Sequence, residues 1–256
     1  MKADFDQAAP TYDTHFTHSE IGKLQRKLVY QQLKKQLKNS KNILEINCGT
    51  GEDAIWLAQQ NFNVLATDIS EKMIEVAQSK SNVTNLIFKV LDINTLSEET
   101  ENFDLLFSNF GGLNCLTKNE LVLFFNSAAK ILTENGKMSL VIMPKNTIWE
   151  QFYFLLKLDF KNAFRRTKKV ILANVEGEKV VTYYYNPKDI VTLAETNFEF
   201  IEVKPIGFFV PPSYLEPFFK NKKSVLNGLS FLENTIKNVA FLSKYSDHYI
   251  ITLQKR

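Results

Sequence analysis

The sequence predicts an open α/β fold, a mostly parallel sheet with helices on both faces, and three observations point there. First, the apolar run Ile43-Leu44-Glu45-Ile46 meets a glycine turn, Asn47-Cys48-Gly49-Thr50-Gly51, and then a helix-compatible stretch, Ala54-Ile55-Trp56-Leu57-Ala58. A buried strand feeding a tight loop into a helix start has this form. Second, Val64-Leu65-Ala66-Thr67-Asp68 is another apolar run that ends in an acid, and Ser70 follows as the cap of a helix with Met73, Ile74 and Ala77 on its inner side. Third, the alternation continues, with strands at 86–90, 103–108 and 138–143 and a helix at 118–132, the order that builds parallel sheets.

The other elements follow in chain order. Residues 1–17 read as an arm, and 19–38 as a helix with Ile21, Leu24, Leu28 and Leu37 roughly on one face, broken by Asn39-Ser40. The first strand spans 42–47 and the helix after the glycine turn 52–60. Glu134-Asn135-Gly136-Lys137 makes the turn before the fifth strand. Beyond it, 147–166 reads as one aromatic-rich helix through Trp149, Phe152, Tyr153, Leu156 and Phe160 to Arg165-Arg166. Val170–Asn174 and Lys179–Tyr185 flank Val175-Glu176-Gly177-Glu178 as a β-hairpin with glycine in its turn. Pro187 opens a helix to Thr196, Phe198–Val203 is a strand, and His248–Gln254 is the last strand. There is no internal repeat, so 1–256 is expected as one domain: arm and first helix over 1–38, core over 39–143, and insertions at 144–186 and 205–247 beside the sheet's ligand edge.

Composition narrows the class. A net charge of +3 is too mild to argue for a nucleic-acid partner. Cys48 and Cys115 are the only cysteines, too few with three histidines for a metal framework or a disulfide scaffold, and Cys48 reads as a buried inert thiol. The N-terminus lacks the apolar stretch of a signal peptide, and no apolar span is long enough to cross a bilayer, so stable membrane insertion is not expected and a cytoplasmic location is the default. The 21 Phe and 9 Tyr are many, and they can fill a core or line a pocket for an apolar acceptor.

The glycine turn carries the chemistry. Glycines permit positive φ and remove the Cβ atoms that would keep a ligand from the backbone, and the helix start adds unpaired N–H groups and a positive dipole end. Gly49-Thr50-Gly51-Glu52-Asp53-Ala54 fits a dinucleotide fingerprint, with Asp68 at a workable distance. However, Glu45 inside the strand suits an ammonium group, and Glu52 and Asp53 would repel a pyrophosphate. The stretch resembles motif I of class I S-adenosylmethionine (SAM)-dependent methyltransferases, with Asn47 where the family usually has its first glycine. Phe5-Asp6-Gln7-Ala8-Ala9-Pro10-Thr11-Tyr12-Asp13 resembles the opening of the ubiquinone, menaquinone and biotin-pathway group (type 11/25-like). Asp92-Ile93, Phe103–Leu106 and the unit through Gly136 resemble that family's later motifs, so the resemblance covers 1–143.

The resemblance implies a Rossmann-like sheet of seven strands with an antiparallel last strand, and SAM across the carboxyl ends of strands one, two and four. Glu45 would hold the ammonium and Gly49, Thr50 and Gly51 would approach the methionine part. Asp68 would take the ribose, Asp92 the adenine amino group and Ile93 the ring, with Asn47, Ile69, Met73, Asn109 and Phe110 as further contacts. Tyr12 would lie near the sulfonium or the substrate. Transfer would be an in-line SN2 displacement to a small, apolar or aromatic acceptor at oxygen or carbon, leaving S-adenosylhomocysteine (SAH) and needing no metal. Tyr12 and His15 are the candidate bases, since a histidine can take a proton at neutral pH; His18 follows closely. The proline- and aromatic-rich start of the second insertion suggests a stiff apolar wall, so Phe208, Phe209 and Tyr214, together with Tyr184 of the first insertion, are candidate acceptor contacts. The basic cluster from Lys157 to Lys169 reads as a solvated helix end or a contact for anionic lipid or an acidic carrier. Two alternatives stay open: an NAD(P)-dependent oxidoreductase, and a SAM-binding protein without turnover. Oligomeric state is not legible.

Overall fold

The computed structural model describes residues 6–175 and 178–256. Phe5 and the expected hairpin turn at Glu176-Gly177 lie outside the described residues. Seven strands form one sheet: β1 (Asn42–Ile46), β2 (Asn63–Asp68), β3 (Leu86–Val90), β4 (Phe103–Ser108), β5 (Leu132–Ile142), β8 (Phe198–Ile206) and β9 (His248–Lys255), in the order β3-β2-β1-β4-β5-β9-β8. The pairings from β3 to β5 are parallel, and β9 runs antiparallel to both β5 and β8. The expected fold class is therefore the observed one. Between β5 and β8, β6 (Ile171–Val175) and β7 (Glu178–Thr182) form a separate antiparallel pair.

Strand periodicity explains the two cores. Ile43 and Leu44 are adjacent and both fully buried, as a central strand covered on both faces requires. Leu44, Ile46, Leu106, Leu140 and Leu253 face one cluster, with Phe124 and Phe125 of helix α4 (Lys118–Ile131). Ile43, Leu105, Phe107, Val141 and Ile250 face the other, with helices α1 (Glu20–Leu33) and α2 (Glu52–Gln59). Helix α3 (Glu71–Lys80) starts where expected, the Ser70 hydroxyl accepting from the Met73 N–H at 3.1 Å. Helix α4 has a full capping box: Thr117 Oγ1 accepts from Glu120 N–H and the Glu120 carboxylate accepts from Thr117 N–H at 2.7 Å. Such a cap contributes about 1 kcal/mol.

Several boundaries differ from expectation. Helix α1 stops at Leu33, followed by a tight turn at Leu37–Asn39. The turn expected at 134–137 is absorbed into β5 as a bulge: Phe103 pairs with Leu132 and Leu105 with Lys137, and Asn135 takes a φ of 60°. Strand β8 runs past Val203 to Ile206 because it stays paired along β9.

The helix expected over 147–166 is broken. It becomes α5 (Ile148–Leu156), α6 (Phe160–Ala163) and a tight turn at Arg165–Thr167. Leu158 takes a φ of 57°, which ends α5, and the Asp159 carboxylate accepts from Asn162 N–H at 3.1 Å to start α6. The aromatic periodicity straddles that break, so pattern alone could not show it. Helix α7 (Pro187–Ala194) has proline in its first turn as expected, and the second insertion holds α8 (Glu216–Phe219) and α9 (Lys223–Ile236). Among the described residues no helix is long and apolar enough to cross a membrane, and no group of three or more His, Cys, Asp or Glu could hold a metal ion.

Candidate active site

The loop after β1 needs left-handed backbone three times in five residues: Asn47 (φ 55°), Gly49 (φ 52°) and Gly51 (φ 77°). The two glycines act differently. A Cβ on Gly51 would come within 2.7 Å of the Phe88 ring and 2.8 Å of Ala77, so that glycine lets α2 pack on the sheet. A Cβ on Gly49 would meet nothing within 4 Å, so the loop is open on that side. The Asn47 amide donates to Ser108 Oγ at 3.3 Å, tying the loop to the end of β4.

Acids surround the loop. Asp68, at the end of β2, accepts from Gly49 N–H through one oxygen and from Ser70 N–H through the other, each at 2.9 Å. Burial pushes its carboxyl up against the pull of these bonds. Glu45 shares the Ile43 face of β1, is 1% exposed, and its Oε2 has no hydrogen-bond partner. Burial first, then the Asp53 charge, push its carboxyl well above the ordinary range. Asp53, on α2, pairs with Arg26 of α1, and accepts from the Asn109 amide at 3.0 Å. Next to Asn109, Phe110 takes a φ of 42° and lies 5.3 Å from the Arg26 guanidinium.

The arm folds onto this loop. Asp13 accepts from Thr50 Oγ1 at 2.6 Å and from Lys80 Nζ at 2.8 Å, and Asp6 accepts from Ser70 Oγ. Ala8 and Ala9 bury against Met73. Tyr12, Arg26, Gly49, Thr50, Asp53, Asn109 and Phe110 thereby line one pocket with Asn47 and Cys48. Burial pushes the Tyr12 hydroxyl up to about 12. Cys48 is buried, and neither Cys48 nor Cys115 is in a disulfide. Asp92 stands at the end of β3, where its carboxylate accepts from the Asn94 N–H and amide at 2.9 and 2.8 Å and so closes a turn. Ile69 and Ile93, beside the two acids, are half-buried.

The acceptor candidates do not converge on that pocket. Tyr184 is buried with the Arg166 guanidinium 5.1 Å over its ring. Phe208 and Phe209 stack edge to face with centroids 5.1 Å apart, and their N–H groups, with those of Gly207 and Val210, donate to the buried Glu233 carboxylate of α9. The expected apolar wall is thus a loop wrapped around a carboxylate. Tyr214 and His15 are exposed and share an outer groove with His18, between the arm and the second insertion.

Sequence reasoning missed three parts. Arg26 lies three and seven residues before Val29 and Leu33, on the buried face of α1, and that spacing was its only signal. Asp247, just before β9, and His248, its first residue, stand at the ligand edge ahead of the apolar run Tyr249-Ile250-Ile251. Arg165 and Arg166 are not a solvated helix end: both pair with Glu150, which is 1% exposed, and Arg166 also pairs with Asp247 at 2.9 Å.

The comparisons agree with this geometry. A family model described as a methyltransferase domain matches residues 43–136, which bears out the resemblance read from the motifs. An uncharacterized protein of Methanocaldococcus jannaschii is 27% identical over 95% of this chain and 90% of its own length. A demethylmenaquinone methyltransferase of Lactobacillus johnsonii is 26% identical over 70% of this chain and 74% of its own. The crystal structure of a SAM-dependent methyltransferase from Methanosarcina mazei matches with a TM-score of 0.60 at 18% identity, covering 88% of this chain and 97% of that one, a likeness of fold.

Proposed function

We propose, from the methyltransferase domain matched over 43–136, that this chain transfers a methyl group from SAM to a small acceptor. One observation carries the reading: on β1, two residues before the glycine loop begins, sits a buried carboxylate oxygen, Glu45 Oε2, with no partner. A buried unpaired charge is costly, and a bound cation relieves it. The ammonium of SAM supplies one that can donate hydrogen bonds to it, whereas a dinucleotide has no ammonium and its pyrophosphate would face Glu52 and Asp53.

The other residues fit the same molecule. Each Asp68 oxygen holds one backbone N–H and keeps a lone pair for a ribose hydroxyl. Asp92 and Ile93 would meet the adenine, Ile69 and Met73 would flank the nucleoside, and Asn47, Gly49, Thr50 and Gly51 the methionine part. Asn109, Phe110 and Tyr12 would close the pocket. SAM supplies an electrophilic methyl on a sulfonium. The protein's task is then to align donor and acceptor for SN2 displacement and to keep water out. The acceptor we favour is small and apolar or aromatic, methylated on oxygen or carbon.

Calorimetric titration with SAM, SAH and NADH tests this. SAM and SAH should bind, and Asp68→Ala should weaken both by roughly ten- to hundredfold. Binding of NADH alone would overturn the reading in favour of an oxidoreductase.

A further inference from the structure

We propose that His248 is the general base of the transfer, held by Asp247, and that the acceptor is a hydroxyl compound whose proton must be removed; this rests on the methyltransferase reading above. Strand β9 runs antiparallel to β5, so its first residue lies at the edge where the parallel strands end, the edge that carries the Gly49 loop and Asn109. The His248 ring is 5.5 Å from the Phe110 ring at 78°, and Phe110 lines the loop pocket. His248 thus stands one aromatic ring from the proposed cofactor, whereas His15 is exposed in the outer groove.

The surroundings of His248 suit a base. It is 9% exposed, and its Nδ1 lies 3.1 Å from Asp247 Oδ2, within ion-pair reach but not aligned as a hydrogen bond. Asp247 is itself fixed: Arg166 Nη2 donates to Oδ1 at 2.9 Å, Gln25 Nε2 to Oδ2 at 3.1 Å, and Arg166 Nη1 to its carbonyl at 3.0 Å. Arg166 is held in turn by Glu150 at 3.0 Å and lies over Tyr184. Burial pushes the Asp247 carboxyl up, but the His248 ring when protonated and the Arg166 guanidinium outweigh burial and hold it below the usual carboxylate range. With His248 neutral, the Arg166 and Gln25 bonds still fix the carboxylate. An ionised carboxylate beside Nδ1 favours the tautomer with its proton there, which leaves the Nε2 lone pair as the basic site.

The balance closes without any further reactant. The acceptor O–H gives its proton to His248 Nε2, and the oxygen lone pair forms the new O–C bond. The S–C bond breaks, its electron pair stays on sulfur to give SAH, and the imidazolium returns its proton to water. Asp247 acts as a positioning residue, and no buried charge is left on the acceptor.

The chain has three histidines, His15, His18 and His248, so single His→Gln variants assign the imidazole signals in a nitrogen-detected NMR spectrum. Neutral His248 should carry its proton on Nδ1, and Asp247→Asn should shift that balance toward Nε2. SAH formation is then measured with SAM and three phenols of rising pKa: 4-nitrophenol, phenol and 4-methoxyphenol. His248→Gln should bind SAM as the wild type does. It should lose about 10²-fold or more with phenol and 4-methoxyphenol, and hardly any with 4-nitrophenol, already largely ionised in weakly alkaline buffer. Three results would overturn the proposal while sparing the SAM reading: equal loss on all three phenols, a proton fixed on Nε2, or a wild type that binds SAM and methylates none of them. Failure to bind SAM would overturn the methyltransferase reading and this proposal with it.

Discussion

Asn47 and Gly112 interlock: a Cβ placed on Gly112 would lie 2.6 Å from the Cβ, Cγ and Nδ2 atoms of Asn47. Asn47 stands where the family pattern has glycine. It keeps the left-handed backbone, with a φ of 55°, and its side chain takes up the space that Gly112 leaves beside β4. The paired glycines after β4 therefore do separate jobs. Gly111 supplies a φ of 83°, and Gly112 gives up its side chain to Asn47.

That relationship makes a coupled prediction. Gly112→Ala should cost about 1–3 kcal/mol in urea denaturation, the usual penalty for overpacking. Asn47→Gly should relieve most of that penalty when combined with it, giving a coupling of at least about 0.5 kcal/mol. Additive effects would show that the two side-chain positions do not share one space.

Arg26 and Asp53 make the second prediction. Both are nearly buried, and Asp53 also holds Asn109. Arg26→Met leaves the Asp53 carboxylate uncompensated, for an expected loss of about 3–5 kcal/mol. Adding Asp53→Asn should recover much of it. A loss of about 0.5 kcal/mol, the size of a surface pair, would mean that Asp53 reaches water in solution.

How much of this was legible follows from sequence distance. The strands from Ile43 to Ser108, the Ser70 cap and the left-handed positions of the glycine loop are local, and apolar runs and turn residues encode them directly. The partners that complete the site are not local. Arg26 meets Asp53 only after α1 packs beside α2, and Arg166 meets Asp247 across 81 residues. Asp92 reads the same in sequence whether it closes a turn or waits for a ligand, and the structure shows the turn. Leu158 shows the limit from the other side, because nothing in an apolar helical pattern announces a residue with a φ of 57°.

The arm supplies a pH-dependent prediction. Burial raises the Asp13 carboxyl, but the bonds from Lys80 and Thr50 outweigh it and lower it overall. Its folded pKa is depressed, so the stabilisation is present above the unfolded value of about 3.9 and lost as pH falls through the folded value. Limited proteolysis of the arm should accelerate on acidification below about pH 4. Asp13→Asn should cut faster at neutral pH and lose most of that acceleration. Equal cutting of both proteins at every pH would show that Ala8 and Ala9, packed on Met73, hold the arm without Asp13.

Glu45 separates stability from binding. Its folded pKa is raised, by burial first and Asp53 second, with Arg26 offsetting only part. For an acid shifted this way the favourable contribution belongs to the protonated form. It is present below the unfolded pKa of about 4.3 and is lost as pH rises through the folded value. Glu45→Gln should therefore stabilise the ligand-free protein at neutral pH by about 0.5–2 kcal/mol. Thermal melts across pH should show that gain growing from about pH 4 upward and vanishing below it. SAM should reverse the order, because the amide offers its ammonium no negative charge and affinity should fall roughly ten- to hundredfold. The wild type should then gain more in Tm from added SAM than the variant does. A variant that melts lower at neutral pH would mean that ionised Glu45 is already satisfied inside the protein, and that its carboxylate is not the seat of a bound cation.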